Sequence, residues 1–283
     1  MARTSQASIR DILTIVDLAG ERRVAVVAAD LARRTGAHLT GLSLAFDPLV
    51  PVYSVGAPIP TDFITTAHEQ AVADAKAASE AFVAIGEKAG VGVEARTVES
   101  VAGDGFISVV RNLVLTDLAV VGQDNPDVPE PMRAALIEAI LFQAGLPTLV
   151  VPYYGVTEFV SDRVVVAWNG SAAAGRAVRA AMPLLAMAKH VLVAMVDEGR
   201  EPPGEPGADI GAYLARHDLD VTVRPIANMP NGTGATLLSF AAEEGANWMV
   251  MGAYGHSRLL EFLLGGVTRH VLSNATLPVL MSH

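Results

Sequence analysis

Asn247-Trp248-Met249-Val250-Met251-Gly252, a short apolar run closed by glycine, is followed by a stretch of helical period and then by Leu277-Pro278-Val279-Leu280-Met281. The same pattern stands earlier in the chain, as Asp117-Leu118-Ala119-Val120-Val121-Gly122 and then Leu146-Pro147-Thr148-Leu149-Val150-Val151. Gly122 and Gly252 are 130 residues apart and Pro147 and Pro278 are 131 apart, so the two stretches are copies of one unit. Further upstream, Asp11 to Asp17 matches Asp162 to Asn169 at a displacement of about 152 residues. The first copy therefore carries about 20 additional residues, which the Pro-rich stretch Asp47 to Pro60 and the long helical pattern after it account for.

Within each copy, apolar runs alternate with segments of helical period, the pattern of βαβ units and a parallel sheet. Strands are predicted at 12–17, 39–45, 93–98, 118–123 and 148–151, and again at 164–169, 191–196, 221–226, 248–253 and 279–281. Helices are predicted at 22–35, 65–89, 105–113, 131–144, 173–188, 209–217, 234–244 and 266–273, with Pro183 expected to kink or shorten one of them. The segment 153–161 reads as a linker between a domain at 1–152 and a domain at 162–283. Residues 198–207, rich in Pro, Gly and Glu, read as a mobile loop.

Composition agrees with this fold class. Of the 283 residues 51% are hydrophobic and 18% charged, as expected of parallel strands covered on both faces. No run approaches the roughly 18 consecutive apolar residues of a membrane helix. The net charge of −10 without a basic cluster argues against nucleic acid. The polar start Met1 to Gln6 lacks a signal core, so a cytoplasmic location is expected. With no cysteine, disulfides, thiol catalysis and thiolate metal sites are excluded.

The constellation that carries chemistry is Gly252-Ala253-Tyr254-Gly255-His256-Ser257, followed by Gly265-Gly266-Val267-Thr268. It links the end of a strand to the start of a helix, where open parallel sheets bind ligands. Gly252 and Gly255 permit close approach of backbone N–H groups to an anion. Gly265 and Gly266 open the last helix, whose free N–H groups and dipole suit a phosphate, and Thr268 adds a hydroxyl. The bland alternative is turn punctuation. Walker-type and Gly-x-Gly-x-x-Gly loops are missing, as is a Gly-x-Ser-x-Gly elbow, so neither a catalytic residue nor a metal site is predicted. His256 reads as a loop residue beside the anion and His270 as a partly packed surface residue. Asp17 and Asn169, each ending a first strand, could accept hydrogen bonds from a ligand's adenine or ribose, or cap the helix that follows.

These residues resemble the universal stress protein family in its tandem two-domain form. The family's nucleotide signature is Gly, two residues, Gly, nine residues, Gly, then Ser or Thr. Gly252, Gly255 and Gly265 match the spacing, and Gly266 replaces the hydroxyl residue. The resemblance implies two tandem doubly wound α/β domains, each a five-stranded parallel sheet in the order 3-2-1-4-5 with helices on both faces. It also implies ATP or a related adenine nucleotide, with or without magnesium, in the C-terminal domain, and a role in stress response without efficient turnover. By position, Ala167, Trp168 and Asn169 would border adenine and ribose, Met195 would pack on the base, and Gly252, Gly255, Gly265, Gly266, Val267 and Thr268 would hold the phosphates, with Met251 and His256 also in the nucleotide-binding set. Asn169 replaces the family's acidic residue. The first copy, with Asp124, Asp127, Glu130 and three prolines after Gly122, is expected not to bind nucleotide and to pair structurally with the second domain. The alternative is a scaffold or small-ligand module that has lost nucleotide binding. An unknown protein partner and an edge-to-edge homodimer are both compatible with the chain.

Overall fold

The computed structural model describes residues 8–46, 61–100, 106–127, 132–197, 207–253 and 266–283. Five strands form the first half: β1 (Asp11–Ile15), β2 (His38–Phe46), β3 (Val93–Ser100), β4 (Leu118–Gly122) and β5 (Thr148–Val151). The second half has β6 (Arg163–Ala167), β7 (His190–Asp197), β8 (Val221–Ala227), β9 (Trp248–Gly252) and β10 (Val279–Ser282). All ten join one sheet in the order β3-β2-β1-β4-β5-β10-β9-β6-β7-β8. Each half thus has the order 3-2-1-4-5 in its own numbering, with every pair inside a half parallel. The halves meet through one antiparallel pair, in which Val279 faces Val150, Leu280 faces Leu149 and Met281 faces Thr148.

Alternate side chains of each strand enter opposite layers, as the two-residue period of a strand requires. Ile12, Val164, Trp248, Val250 and Leu280 enter one core, and Leu13, Val165, Met249, Met251 and Val279 the other. The first layer is roofed by α1 (Arg23–Thr35), α2 (Thr61–Ala89), α5 (Ala172–Leu185) and α6 (Ala208–Ala215). The second is roofed by α3 (Ile107–Leu113), α4 (Arg133–Ala139), α7 (Thr233–Glu243) and α8 (Val267–Asn274). Both cores run unbroken through the two halves, because β5 and β10 contribute to each.

Local features follow from single residues. A Cβ at Gly41 on β2 would collide with the ring of Phe82, so glycine lets α2 lie against the sheet. Pro183 sits in the last turn of α5, which ends at Leu185 rather than continuing to 188. α4 passes into a single π turn at Ile140–Ala144, closed by Gly145 at φ 66°.

The linker is part of the core. Phe159 is fully buried, its ring 5.6 Å from that of Trp248, and the Trp248 Nε1–H donates to Ser161 Oγ at 3.0 Å. The Phe159 N–H donates to Asp30 Oδ2 on α1 at 3.0 Å. No helix among the described residues is long and apolar enough to cross a membrane. The Asp47 to Pro60 stretch and all of the 198–207 loop but Gly207 lie outside the described residues.

Candidate functional site

In each half the chain leaves the first strand in one direction and the fourth in the other, so a crevice opens between their carboxyl ends. The crevices lie at β1/β4 and at β6/β9. Because β5 and β10 are antiparallel, the two face opposite rims of the sheet.

At β6/β9 the chain turns through Asn169-Gly170-Ser171 into α5. Asn169 Oδ1 accepts from the Ser171 N–H at 3.1 Å, and Ser171 Oγ accepts from the Ala174 N–H at 3.1 Å. The capping role open to Asn169 is thus filled as an Asx turn that presents Ser171 as the N-cap. Gly252 at the end of β9 lies directly beneath this helix start. A Cβ there would stand 2.5 Å from Ala174 N and 2.7 Å from the Ala173 carbonyl carbon. Its missing side chain is therefore filled by the backbone of α5, a packing reason for the glycine that its place in the motif did not reveal.

The other approach to this crevice is α8. Its N-cap, Gly266, has φ −54° and ψ 157° and supplies no side-chain cap. Gly266 thus offers the start of α8 no capping side chain, in contrast to Ser171 at the start of α5. Thr268 is 2% exposed on the first turn. His270 is half-buried, and a Cβ on Gly234 of α7 would come within 3.0 Å of its ring, so it packs on α7.

The other residues of the sequence-derived set divide between the two faces of the sheet. Ala167 and Met251 belong to the layer under α7 and α8. Trp168 and Met195 belong to the opposite layer. Trp168 lines a cavity of about 250 Å³ between α5 and α6, with Arg179, Asp209, Tyr213 and Arg216. Met195 Sδ lies where a Cβ on Gly207 would fall, 2.5 Å away. Gly255, His256 and Gly265 lie outside the described residues. Among the described residues no group of three His, Cys, Asp or Glu side chains could hold a metal ion.

The crevice at β1/β4 differs chemically. Arg133, the first residue of α4 and 5% exposed, places Nη2 3.1 Å from Asp17 Oδ1. A Cβ on Gly122 would meet Val24 Cγ2 at 2.9 Å and Asp17 Oδ1 at 3.3 Å, so the glycine that matches Gly252 makes room for this ion pair. The Gln123 amide donates to the Leu272 carbonyl of α8 at 2.9 Å. Sequence reading missed Arg133; its signal was a lone arginine just beyond the acidic, Pro-rich segment. Of the charges expected to repel a phosphate there, Asp124 and Asp127 are described and Glu130 is not.

Residues 231–283 match the model of the universal stress protein family. A universal stress protein from Archaeoglobus fulgidus is 18% identical, with 96% of each chain covered and a TM-score of 0.71. A functionally unknown protein from Pseudomonas aeruginosa is 15% identical over 97% of this chain and 92% of its own, with a TM-score of 0.54. A universal stress protein solved in complex with cAMP is 29% identical over 43% of this chain and 96% of its own, with a TM-score of 0.33. Among curated proteins no sequence matches.

Proposed function

We propose that the protein is a nucleotide-binding regulator, a reading supported by the match of residues 231–283 to the universal stress protein family and by the fold that the whole chain shares with a universal stress protein. ATP or a related adenine nucleotide binds at the β6/β9 crevice and is not efficiently turned over. The observation that carries this reading is the start of α8. Its N-cap Gly266 supplies no side-chain cap, at the carboxyl rim where a phosphate gains from the backbone N–H groups of a helix start and from the helix dipole. Gly266, Val267 and Thr268 would hold the phosphates.

A second reading has its own observation. Gly252 and Asn169, two residues assigned to the ligand by position, are committed to the start of α5. On that reading the domain is a scaffold or binds another small ligand. The experiment is direct: freshly purified protein is denatured and the supernatant chromatographed, and the melting temperature is measured with and without millimolar ATP. Adenine nucleotide at near one per chain, or a rise in melting temperature, supports the regulator. Neither nucleotide nor a shift leaves the scaffold.

A further inference from the structure

The N-terminal crevice holds a cavity of about 250 Å³ at the carboxyl ends of β1, β4 and β5. Its charged lining is Arg22, Arg23 and Arg133 against Asp17 and Glu21, an excess of one positive charge. Asp17 is bound by Arg133, and Glu21 pairs with Arg23. The start of α1 adds to the positive character, with no acidic residue in its first turn and no side-chain cap.

Arg22 is the outlier. It precedes α1 at φ 47° and ψ 45°, in the left-handed region where glycine is at ease and arginine is not. The strain sets a guanidinium against the cavity. Nη2 donates to the Leu18 carbonyl at 3.2 Å and Nη1 to the Gly20 carbonyl at 3.5 Å, while the Nε–H is buried with no hydrogen-bond partner among the described residues. Backbone strain and a buried donor without a partner, side by side at one basic cavity, are features that binding sites retain.

We propose that this cavity is a second site, which takes a small oxyanion-bearing molecule, a phosphate monoester or a carboxylate. Arg22 and the first N–H groups of α1 receive the oxyanion, and the exposed side of the Tyr153 ring faces the rest of the ligand. A volume of about 250 Å³ is below the roughly 300–1,000 Å³ of sites for drug-sized ligands. With the Asp17–Arg133 pair inside, the cavity selects against a nucleoside triphosphate. This site does not depend on nucleotide binding by the other domain.

The test is thermal unfolding of the full chain with inorganic phosphate or acetate, against chloride at matched ionic strength. Arg22→Gly is the informative variant, because glycine suits the left-handed backbone and the variant should fold. One or both oxyanions should raise the melting temperature of the parent by about 2 to 3 °C at tenfold the Kd. The larger shift identifies phosphate or carboxylate chemistry. Arg22→Gly should lose that shift and keep any response to ATP. If neither oxyanion acts, or if the variant responds as the parent does, the proposal is overturned, the latter placing the anion elsewhere.

Discussion

Gln123, just past the end of β4, donates its side-chain N–H to the carbonyl of Leu272 in the last turn of α8, 149 residues further along the chain. The bond satisfies a helix-terminal carbonyl that has no partner within its own helix. It also ties the rim of the N-terminal cavity to the helix that begins at the proposed phosphate site. A counterpart lies on the opposite rim: the Phe142 ring is 4.3 Å from that of the C-terminal His283, whose Nδ1 is 3.2 Å from the Ala253 carbonyl oxygen.

Gln123 is 5% exposed. Gln123→Leu should leave the Leu272 carbonyl unsatisfied and cost about 1–3 kcal/mol. Urea unfolding of the full chain measures the loss; an unchanged midpoint would show that the contact is energetically idle.

The two corresponding glycines should respond differently to alanine. At position 252 the new methyl meets backbone of α5, which can yield only by moving the helix, with an expected cost of about 1–3 kcal/mol and loss of ATP-induced stabilisation. At position 122 it meets the side chain of Val24 first, which can shift, so the smaller loss is expected there. Melting temperatures of Gly252→Ala and Gly122→Ala, each with and without ATP, check the order.

Phe159 is the linker's deepest anchor. Phe159→Ala should cost about 3–5 kcal/mol, as for other fully buried aromatic rings. Because both cores run through the two halves, chemical denaturation of this variant should still follow one transition. Two separated transitions would show that the halves are energetically independent.

Burial alone would raise the carboxyl of Asp30, but hydrogen bonds from Arg34, Arg33 and the Phe159 N–H outweigh it and hold the group below the usual aspartate value of 3.8. A depressed carboxyl contributes stability that is present above its unfolded value and lost as pH falls through the lower folded value. Asp30→Asn should therefore be less stable near neutrality, with a shallower loss on acidification below pH 4. Unfolding free energies from pH 6 down to pH 2.5 test this; parallel acid limbs would count against it.

The sheet order of each half could be read from the chain, because Val120–Val121 and Val164–Val166 are short apolar runs separated by helical segments, and βαβ chemistry leaves few arrangements. The antiparallel join of β5 to β10 could not. Thr148–Val151 and Val279–Ser282 are buried on both faces whichever neighbour they take, so their composition is silent on direction. At the sites, Asn169 and Gly266 were visible as departures from a motif. That Gly252 serves the start of α5, that Trp168 faces α6, and that Arg133 reaches Asp17 are contacts between segments distant in sequence, which spacing alone does not encode.

The antiparallel seam between β5 and β10 has an evolutionary consequence. In a pair of identical subunits every substitution is made twice, so a change that helps one pocket is imposed on the other. A seam inside one polypeptide removes that coupling. One rim can therefore carry Arg22, Asp17 and Arg133 while the other carries Asn169, Gly252 and Gly266, and one fold presents two unlike sets of side chains back to back.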